Sequence, residues 1–212
     1  MLKAFKTEIA PNKEQNEKIV RSIGIARFLY NQYVAYNKKL YKMYQRGLLD
    51  SRQKHFVTAK DFDKYVNHNL KIKLPWIDEC GSKARKKALV NAENAFKKFF
   101  DGLAGFPRFK KKSYQDVKLY FPKNNKGDWR IWRNKLMIPT LKQVRLKEFG
   151  YLPVGAKVIN GTVSCKAGRF YVSVVIDIDE KSKYNKDLEA SHHITTDGIG
   201  IDLGVTDLAI VS

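Results

Sequence analysis

Hydrophobic and polar residues partly alternate along residues 2–9, which predicts a β-strand. After Pro11 the apolar residues are spaced three and four apart, which is typical of an amphipathic helix. They are Ile19, Ile23, Ala26, Tyr30 and Tyr33. Asn12 and Gln15 have the spacing of a capping box, so the helix should begin after Asn12. We expect it to end before Gly47.

Residues 82–100 have the clearest helical pattern in the chain, and a shorter helix is expected over 59–69. One stripe of residues 82–100 is small or aromatic: Ala84, Ala88, Ala92, Ala95, Phe96 and Phe99. Five lysines fall on the opposite face: Lys83, Lys86, Lys87, Lys97 and Lys98. Arg85 lies near the apolar edge, and Ser82 is the expected N-cap.

Beyond Gly102 the pattern changes to short runs of β-branched and aromatic residues separated by glycine and proline. The predicted strands are 118–121, 129–132, 135–138, 143–145, 158–164 and 170–176. Gly168 and Arg169 are expected to form the turn between the last two. Helices followed by short strands predict an α+β chain whose strands form a small barrel or sandwich.

Charge narrows the possible partners. The 212 residues include 41 Lys+Arg and 21 Asp+Glu, which gives a net charge of +20. Since 43% of the residues are hydrophobic, a disordered basic tail is excluded. Such a charge favours a polyanionic partner, with nucleic acid first. Cys80 and Cys165 are too few for a disulfide scaffold, and no signal peptide or membrane span is expected, which predicts a cytoplasmic protein.

Two basic segments are candidates for nucleic-acid contact. Residues 105–112 hold four cations and two phenylalanines, which can contact phosphates and stack on bases; the alternative is a solvated charge run beside core rings. The lysine face of 82–100 is either a second such surface or an ordinary solvent face. Basic and aromatic residues of the strands are further candidates for contact with folded RNA: Lys118, Tyr120, Trp129, Arg130, Trp132 and Arg133. For the two tryptophans, a place in the barrel core is the alternative.

Asp202 lies in the sequence Gly-Ile-Asp-Leu-Gly, between two apolar segments. A nuclease of the RNase H type presents its first metal-binding carboxylate in this way. The same pattern also fits a phosphate-binding turn of actin-like ATPases, or a plain hairpin. Two-metal phosphodiester cleavage needs several carboxylates from separate elements.

The ordered set of motifs resembles the TnpB (OrfB) family of insertion-sequence proteins, which are RNA-guided DNA nucleases related to type V CRISPR effectors. The motifs that carry the resemblance are Lys13–Gln15, Gly24–Asn31, Ala88–Phe100, Gly105–Lys110 and Gly200–Val205. The resemblance covers nearly the whole chain. It implies a bacterial, nucleoid-associated protein that binds a transposon-derived guide RNA and double-stranded target DNA.

The resemblance also implies a domain plan. Residues 1–12 and 105–180 would form an oligonucleotide-binding-like β-barrel, the wedge domain, with a helical recognition domain of residues 13–104 inserted. Residues 181–196 would be a linker. Residues 197–212 would begin a RuvC nuclease domain of the RNase H-like fold.

Family roles can be carried over to matching positions. Asp202 would be the first catalytic and Mg²⁺-binding carboxylate. The residues that would read the target-adjacent DNA are Ser82, Lys83, Lys86, Lys87, Tyr120 and Phe121. The residues expected to bind guide RNA follow instead from their charge and their place in the basic segments: Arg108, Lys110, Lys111, Lys112, Lys118, Arg130 and Arg133.

The other nuclease carboxylates and the zinc element of the family have no match here. We therefore expect this chain alone to bind nucleic acid without cleaving it, and to hold no Mg²⁺. Three alternatives stay open: part of a longer nuclease, a naturally shortened repressor-like protein that binds under RNA guidance, and a general RNA-binding module. The sequence predicts neither the guide, the DNA motif nor the oligomeric state.

Overall fold

The computed structural model describes residues 1–49, 55–112, 118–123, 125, 127–177, 201–202 and 210–211. The chain divides into two compact units. Leu2–Asp177 is one, and Ile178–Ser212 with Met1 is the other. The predicted linker 181–196 lies outside the described residues.

The first helix, α1, spans Lys13–Gln45, as the pattern predicts. The Asn12 Oδ1 accepts the Gln15 amide at 2.8 Å, while the Asn12 amide donates to Gln15 Oε1 at 3.0 Å, so the capping box is confirmed. At the other end Gly47 has a φ of 66°. Its amide bonds to Tyr44 O and the Leu48 amide bonds to Met43 O, both at 3.0 Å, which is the Schellman ending that a left-handed glycine permits.

Two shorter elements stand in place of the predicted helix 59–69, and two more follow them before α4 begins. They are α2 (Ala59–Tyr65), a π-helical turn (Val66–Leu70), α3 (Lys71–Lys73) and a 3₁₀ turn (Pro75–Glu79). The next helix, α4, spans Ser82–Phe100 with Gly81 as its N-cap, so the prediction of Ser82 as the cap is wrong. The Arg85 amide bonds to Gly81 O at 3.1 Å and closes the first turn one residue earlier than expected.

The helices share one apolar core built where α1 packs against α4. Its fully buried side chains include Leu29, Tyr33, Phe62, Leu89 and Phe96. Tyr33 is the centre of an aromatic cluster, with its ring 5.3 Å from that of Phe62 and 6.2 Å from that of Phe96, both edge to face.

Seven antiparallel strands form the sheet, in the order β2-β6-β7-β1-β5-β4-β3. Their bounds are β1 Leu2–Ala10, β2 Leu119–Pro122, β3 Arg130–Ile131, β4 Lys135–Ile138, β5 Lys142–Leu146, β6 Lys157–Lys166 and β7 Arg169–Asp177. All six strands predicted after Gly102 are present; β4 has the predicted bounds, and the other five differ from the prediction at their ends. The β6–β7 turn is Ala167-Gly168, with φ of 49° and 75°, and not the predicted Gly168-Arg169.

The sheet curls so that residues near its two ends meet. Trp129, directly before β3, packs its indole against Gly161 of β6; a Cβ on Gly161 would lie 2.8 Å from Trp129 Cζ2. Trp129 is 5% exposed, so the core alternative for this residue is confirmed. The α+β class is likewise confirmed, with strands curled around a shared apolar interior.

The second unit contains two short described strands. Ile201–Asp202 (β8) pairs antiparallel with Ile210–Val211 (β9). The remaining residues of the predicted RuvC segment lie outside the described part of the chain.

Candidate nucleic-acid interface

The start of α4 lies beside strand β2. Lys87 Nζ is 5.4 Å from the centroid of the Tyr120 ring, so the two separate segments predicted to read DNA contact each other. Ser82 and Lys83 are exposed on the same first turns of the helix. The cation–π contact holds a lysine and a half-buried tyrosine on one surface.

The Lys86 side chain forms an ion pair but remains largely exposed. Its Nζ lies 3.5 Å from the Asp63 carboxylate, which is 16% exposed, while the lysine side chain is 57% exposed. Lys83 has no carboxylate within ion-pair distance among the described residues. The two lysines therefore differ in how freely they can meet a phosphate.

Phe121 does not share the exposed surface of Tyr120. Alternation along β2 buries Leu119 and Phe121 and turns Tyr120 toward α4. Phe121 is only 6% exposed, which favours a packing role over direct DNA contact.

Arg85 is a residue whose importance the sequence pattern missed. Its side chain is 8% exposed, and Nη1 lies 3.0 Å from Ile77 O, 3.1 Å from Cys80 O and 2.7 Å from Asp78 Oδ1. It thereby fixes the 3₁₀ turn against the first turns of α4. The only sequence signal was a cation at the edge of the apolar stripe.

Asp78 completes this arrangement. Lys71 Nζ lies 2.7 Å from the same Oδ1, and the hydrogen bonds from Lys71 and Arg85 lower the pKa of the Asp78 carboxyl. Burial also raises the pKa of the neighbouring Cys80 thiol to about 11, which keeps the thiol neutral.

The four cations of residues 105–112 differ in environment. Asn31 clamps the Lys110 backbone, since it accepts the Lys110 amide at 2.8 Å and donates to Lys110 O at 3.0 Å. Lys110 Nζ lies 4.4 Å from the Tyr30 ring centroid, and burial lowers the pKa of Lys110. Three of the cations are exposed: Arg108, Lys111 and Lys112. The core alternative applies only to part of this segment. Phe106 is half-buried, with its ring 5.5 Å from that of Phe96, whereas Phe109 is 46% exposed.

Strand β3 and the turn after it carry a second exposed basic set. The Arg130 guanidinium lies 5.1 Å from the Trp132 ring, and Trp132 is half-buried. Arg133, in the turn, is exposed, and so is Lys118, which lies directly before β2. Because Trp129 is buried, Trp132 is the tryptophan of this pair that a ligand can reach.

The described ranges offer neither a metal site nor a membrane span. Within them, no three His, Cys, Asp or Glu residues lie close enough together to hold a metal ion. The described part of the chain therefore does not itself fit a Mg²⁺ centre. None of its helices has the length and apolar character needed to cross a membrane.

Comparison with known proteins identifies relatives of this chain. Residues 1–46 match the helix-turn-helix domain model of IS605 OrfB proteins. In this chain those residues form β1 and the unbroken helix α1. The chain is 26% identical over 211 residues to "Putative RNA-guided DNA endonuclease InsQ" of Escherichia coli K12, covering 100% of this chain and 47% of InsQ.

The chain is also 25% identical over 213 residues to "Putative RNA-guided DNA endonuclease" of Streptomyces pristinaespiralis, covering 99% of this chain and 48% of that relative. The chain is thus a homologue of the TnpB-like RNA-guided DNA endonucleases, and the resemblance seen in its sequence is confirmed. It spans about half the length of these curated relatives. A cryo-EM structure of Cas12f1 with sgRNA and target DNA aligns at 15% identity over 100% of this chain and 54% of Cas12f1, with a TM-score of 0.38, too low to establish a common fold.

Proposed function

We propose that this chain is the nucleic-acid-binding part of an RNA-guided DNA endonuclease. It binds a guide RNA and a short DNA motif beside the target. The observation that carries the proposal is the contact of Lys87 with Tyr120, which joins the lysine face of α4 to β2 in one surface. The homology over the whole of this chain and the net charge of +20 support it.

The start of α4 is suited to phosphate. Gly81 provides no side-chain cap, so the first-turn amides are not bonded by a capping side chain. Free amides and the helix dipole favour an anion there. Lys83 and Lys87 add charge, while Ser82 and Tyr120 offer hydroxyl groups for contacts with base edges.

Guide RNA binds the exposed cations of residues 108–112 together with Lys118, Arg130 and Arg133. The Asn31 clamp fixes the backbone of the first of these segments, which reduces the entropy lost on binding. The half-buried ring of Trp132 lies next to Arg130. It provides an aromatic surface on which an unpaired RNA base can stack.

The domain plan of this proposal follows the family. The curled sheet corresponds to the wedge-like barrel of residues 1–12 and 105–180, and residues 13–104 to the inserted recognition domain. Residues 197–212 begin the RuvC domain, in which Asp202 is the first of several Mg²⁺ ligands. A complete site needs carboxylates from further elements. The chain alone therefore binds without cleaving, and its Asp202→Ala variant should bind equally well.

RNA that co-purifies with the chain tests the guide-binding half. The chain is expressed with its native flanking DNA, and the bound RNA is sequenced. We expect one dominant structured RNA with a segment that matches DNA. A mixture of cellular RNAs would contradict guide binding, and would instead favour the general RNA-binding alternative.

DNA affinity tests the α4–β2 surface. Replacing Lys83, Lys86 and Lys87 by Ala should weaken DNA binding and lower its salt slope by about 0.9 for each phosphate that these lysines neutralise. The matched control replaces three exposed lysines elsewhere, Lys13, Lys73 and Lys166, by Ala. Equal slopes for both triple variants would show that this face does not touch phosphate.

Mg²⁺-dependent nicking of a matched plasmid that Asp202→Ala abolishes would contradict the absence of cleavage.

A further inference from the structure

A basic groove runs along the C-terminal half of α1 and is bordered on one side by Phe109 of the segment 105–112. It has a volume of about 420 Å³. Its lining combines four cations with apolar side chains, among them Lys38, Lys39, Lys42, Arg46, Leu48 and Phe109. The Schellman ending of α1 brings Leu48 back over the last helical turn, so the groove has a fixed end.

Among the described residues, no carboxylate compensates the charge of this groove. From Lys18 to Leu49 the sequence contains no Asp or Glu. Within the described residues, none of the four cations has a carboxylate within ion-pair distance. The helix dipole favours a cation in the last turn, which accounts for Lys42 and Arg46. It does not account for Lys38 and Lys39, which lie a turn earlier.

Phe109 places an aromatic ring on the same groove. Phe109 is 46% exposed. Lys38 Nζ is 5.8 Å from its centroid. The next residue, Lys110, has its backbone clamped by Asn31, so the position of Phe109 is fixed before any ligand arrives.

We propose that this groove binds a single-stranded stretch of nucleic acid, with phosphates on the four cations and a base against Phe109. The class of ligand rests on the proposed function, and the groove extends the RNA-binding surface from residues 108–112 onto α1. A single strand fits better than a duplex, because duplex bases are stacked on each other and cannot present a face to a ring.

Two kinds of variant separate the phosphate contacts from the stacking contact. The probe is a fluorescein-labelled oligouridylate, titrated at several salt concentrations. Replacing Lys38, Lys39, Lys42 and Arg46 together by Gln should lower the salt slope by about 0.7 for each phosphate that these cations neutralise. Phe109→Ala should lower affinity about tenfold with the slope unchanged, and Phe109→Trp should retain affinity.

The control variant replaces four exposed lysines outside the groove by Gln: Lys13, Lys60, Lys73 and Lys166. If it matches the groove variant in slope and affinity, the groove is not the site. Unchanged affinity of Phe109→Ala, or equal affinity for a paired oligouridylate–oligoadenylate duplex, overturns the single-strand assignment. If the groove proposal fails in either way but guide RNA still co-purifies with the chain, the proposed function is retained. If no guide RNA co-purifies with the wild-type chain, both the proposed function and the groove proposal are contradicted.

Discussion

Individual side chains hold the candidate binding segments in place. Asn31 fixes residue 110 through both of its backbone groups. Arg85 ties Ile77 and Cys80 to the start of α4. Arg85 is buried and Asn31 is half-buried, and removing either would take hydrogen bonds from backbone groups that are at least partly buried. Such residues position the segments whose cations we propose as ligand contacts.

The Asp78 carboxyl should make stability depend on acidity. Its pKa is lowered from 3.8 in the folded chain by Lys71 and Arg85. The ionised Asp78 carboxylate therefore stabilises the folded chain above pH 3.8, and this stabilisation is lost as the pH falls through the folded pKa. Urea unfolding between neutral pH and about pH 3 should show wild type losing its advantage over Asp78→Asn. A constant difference between the two would contradict this.

Gly161 should resist replacement because of Trp129. A Cβ there would lie 2.8 Å from the indole Cζ2 and 3.1 Å from Ser173 O. We expect Gly161→Ala to cost about 1–3 kcal/mol of unfolding free energy, as overpacking does. The matched control is Gly127→Ala, since a Cβ at Gly127 meets nothing within 4 Å. Equal stabilities of the two variants, measured by thermal unfolding, would mean that the indole moves aside freely.

At the scale of elements, long periodic segments were predictable from sequence and short ones less so. The helix α1 and its capping box follow from spacing and cap chemistry, and α4 follows from its alanine stripe. The region 59–79 was not predictable in detail, because Arg85 and Asp78 hold its turns through contacts that no local pattern records. The β6–β7 turn was missed by one residue, since Ala167 takes a left-handed conformation that alanine seldom adopts.

The packing of α4 against α1 depends on one ring in particular. Phe96 is fully buried, with Tyr33, Phe56 and Phe106 around it. Phe96→Ala should cost about 3–5 kcal/mol in denaturant unfolding. Val90→Ala on the same helix, at a site 37% exposed, should cost far less. A loss below about 1 kcal/mol at Phe96 would show that the cluster is not a cooperative core.

For the whole molecule, composition indicated the class of partner but not the surfaces. An excess of cations favours a polyanion wherever they lie. That α4 and β2 share one surface follows only from topology, since about thirty residues of chain separate Lys87 from Tyr120. The groove beside Phe109 likewise follows only from the topology, because it joins α1 to a segment some sixty residues later in the chain.

Total charge should make every nucleic-acid affinity of this chain strongly salt-dependent. A protein that neutralises about six to ten phosphates loses about 10³–10⁵ in affinity between roughly 50 and 200 mM salt. We expect a loss in this range for double-stranded DNA in fluorescence anisotropy. An uncharged inert protein in the same assay sets the baseline. A slope near zero would contradict the assignment of these surfaces to phosphate.

The place of β1 in the sheet has a consequence for how the chain is made. Residues 2–10 leave the ribosome early, yet both neighbours of this strand, residues 142–146 and 169–177, are synthesised much later. The helix α1 can form meanwhile from local contacts. The edge of β1 that pairs with β5 lacks its partner until translation passes Leu146, and the edge that pairs with β7 lacks its partner until translation passes Asp177. Such unpaired edges invite pairing with other chains. The sheet is completed only after β7 is made, and nascent chains that stall before that point should be the form most prone to aggregate.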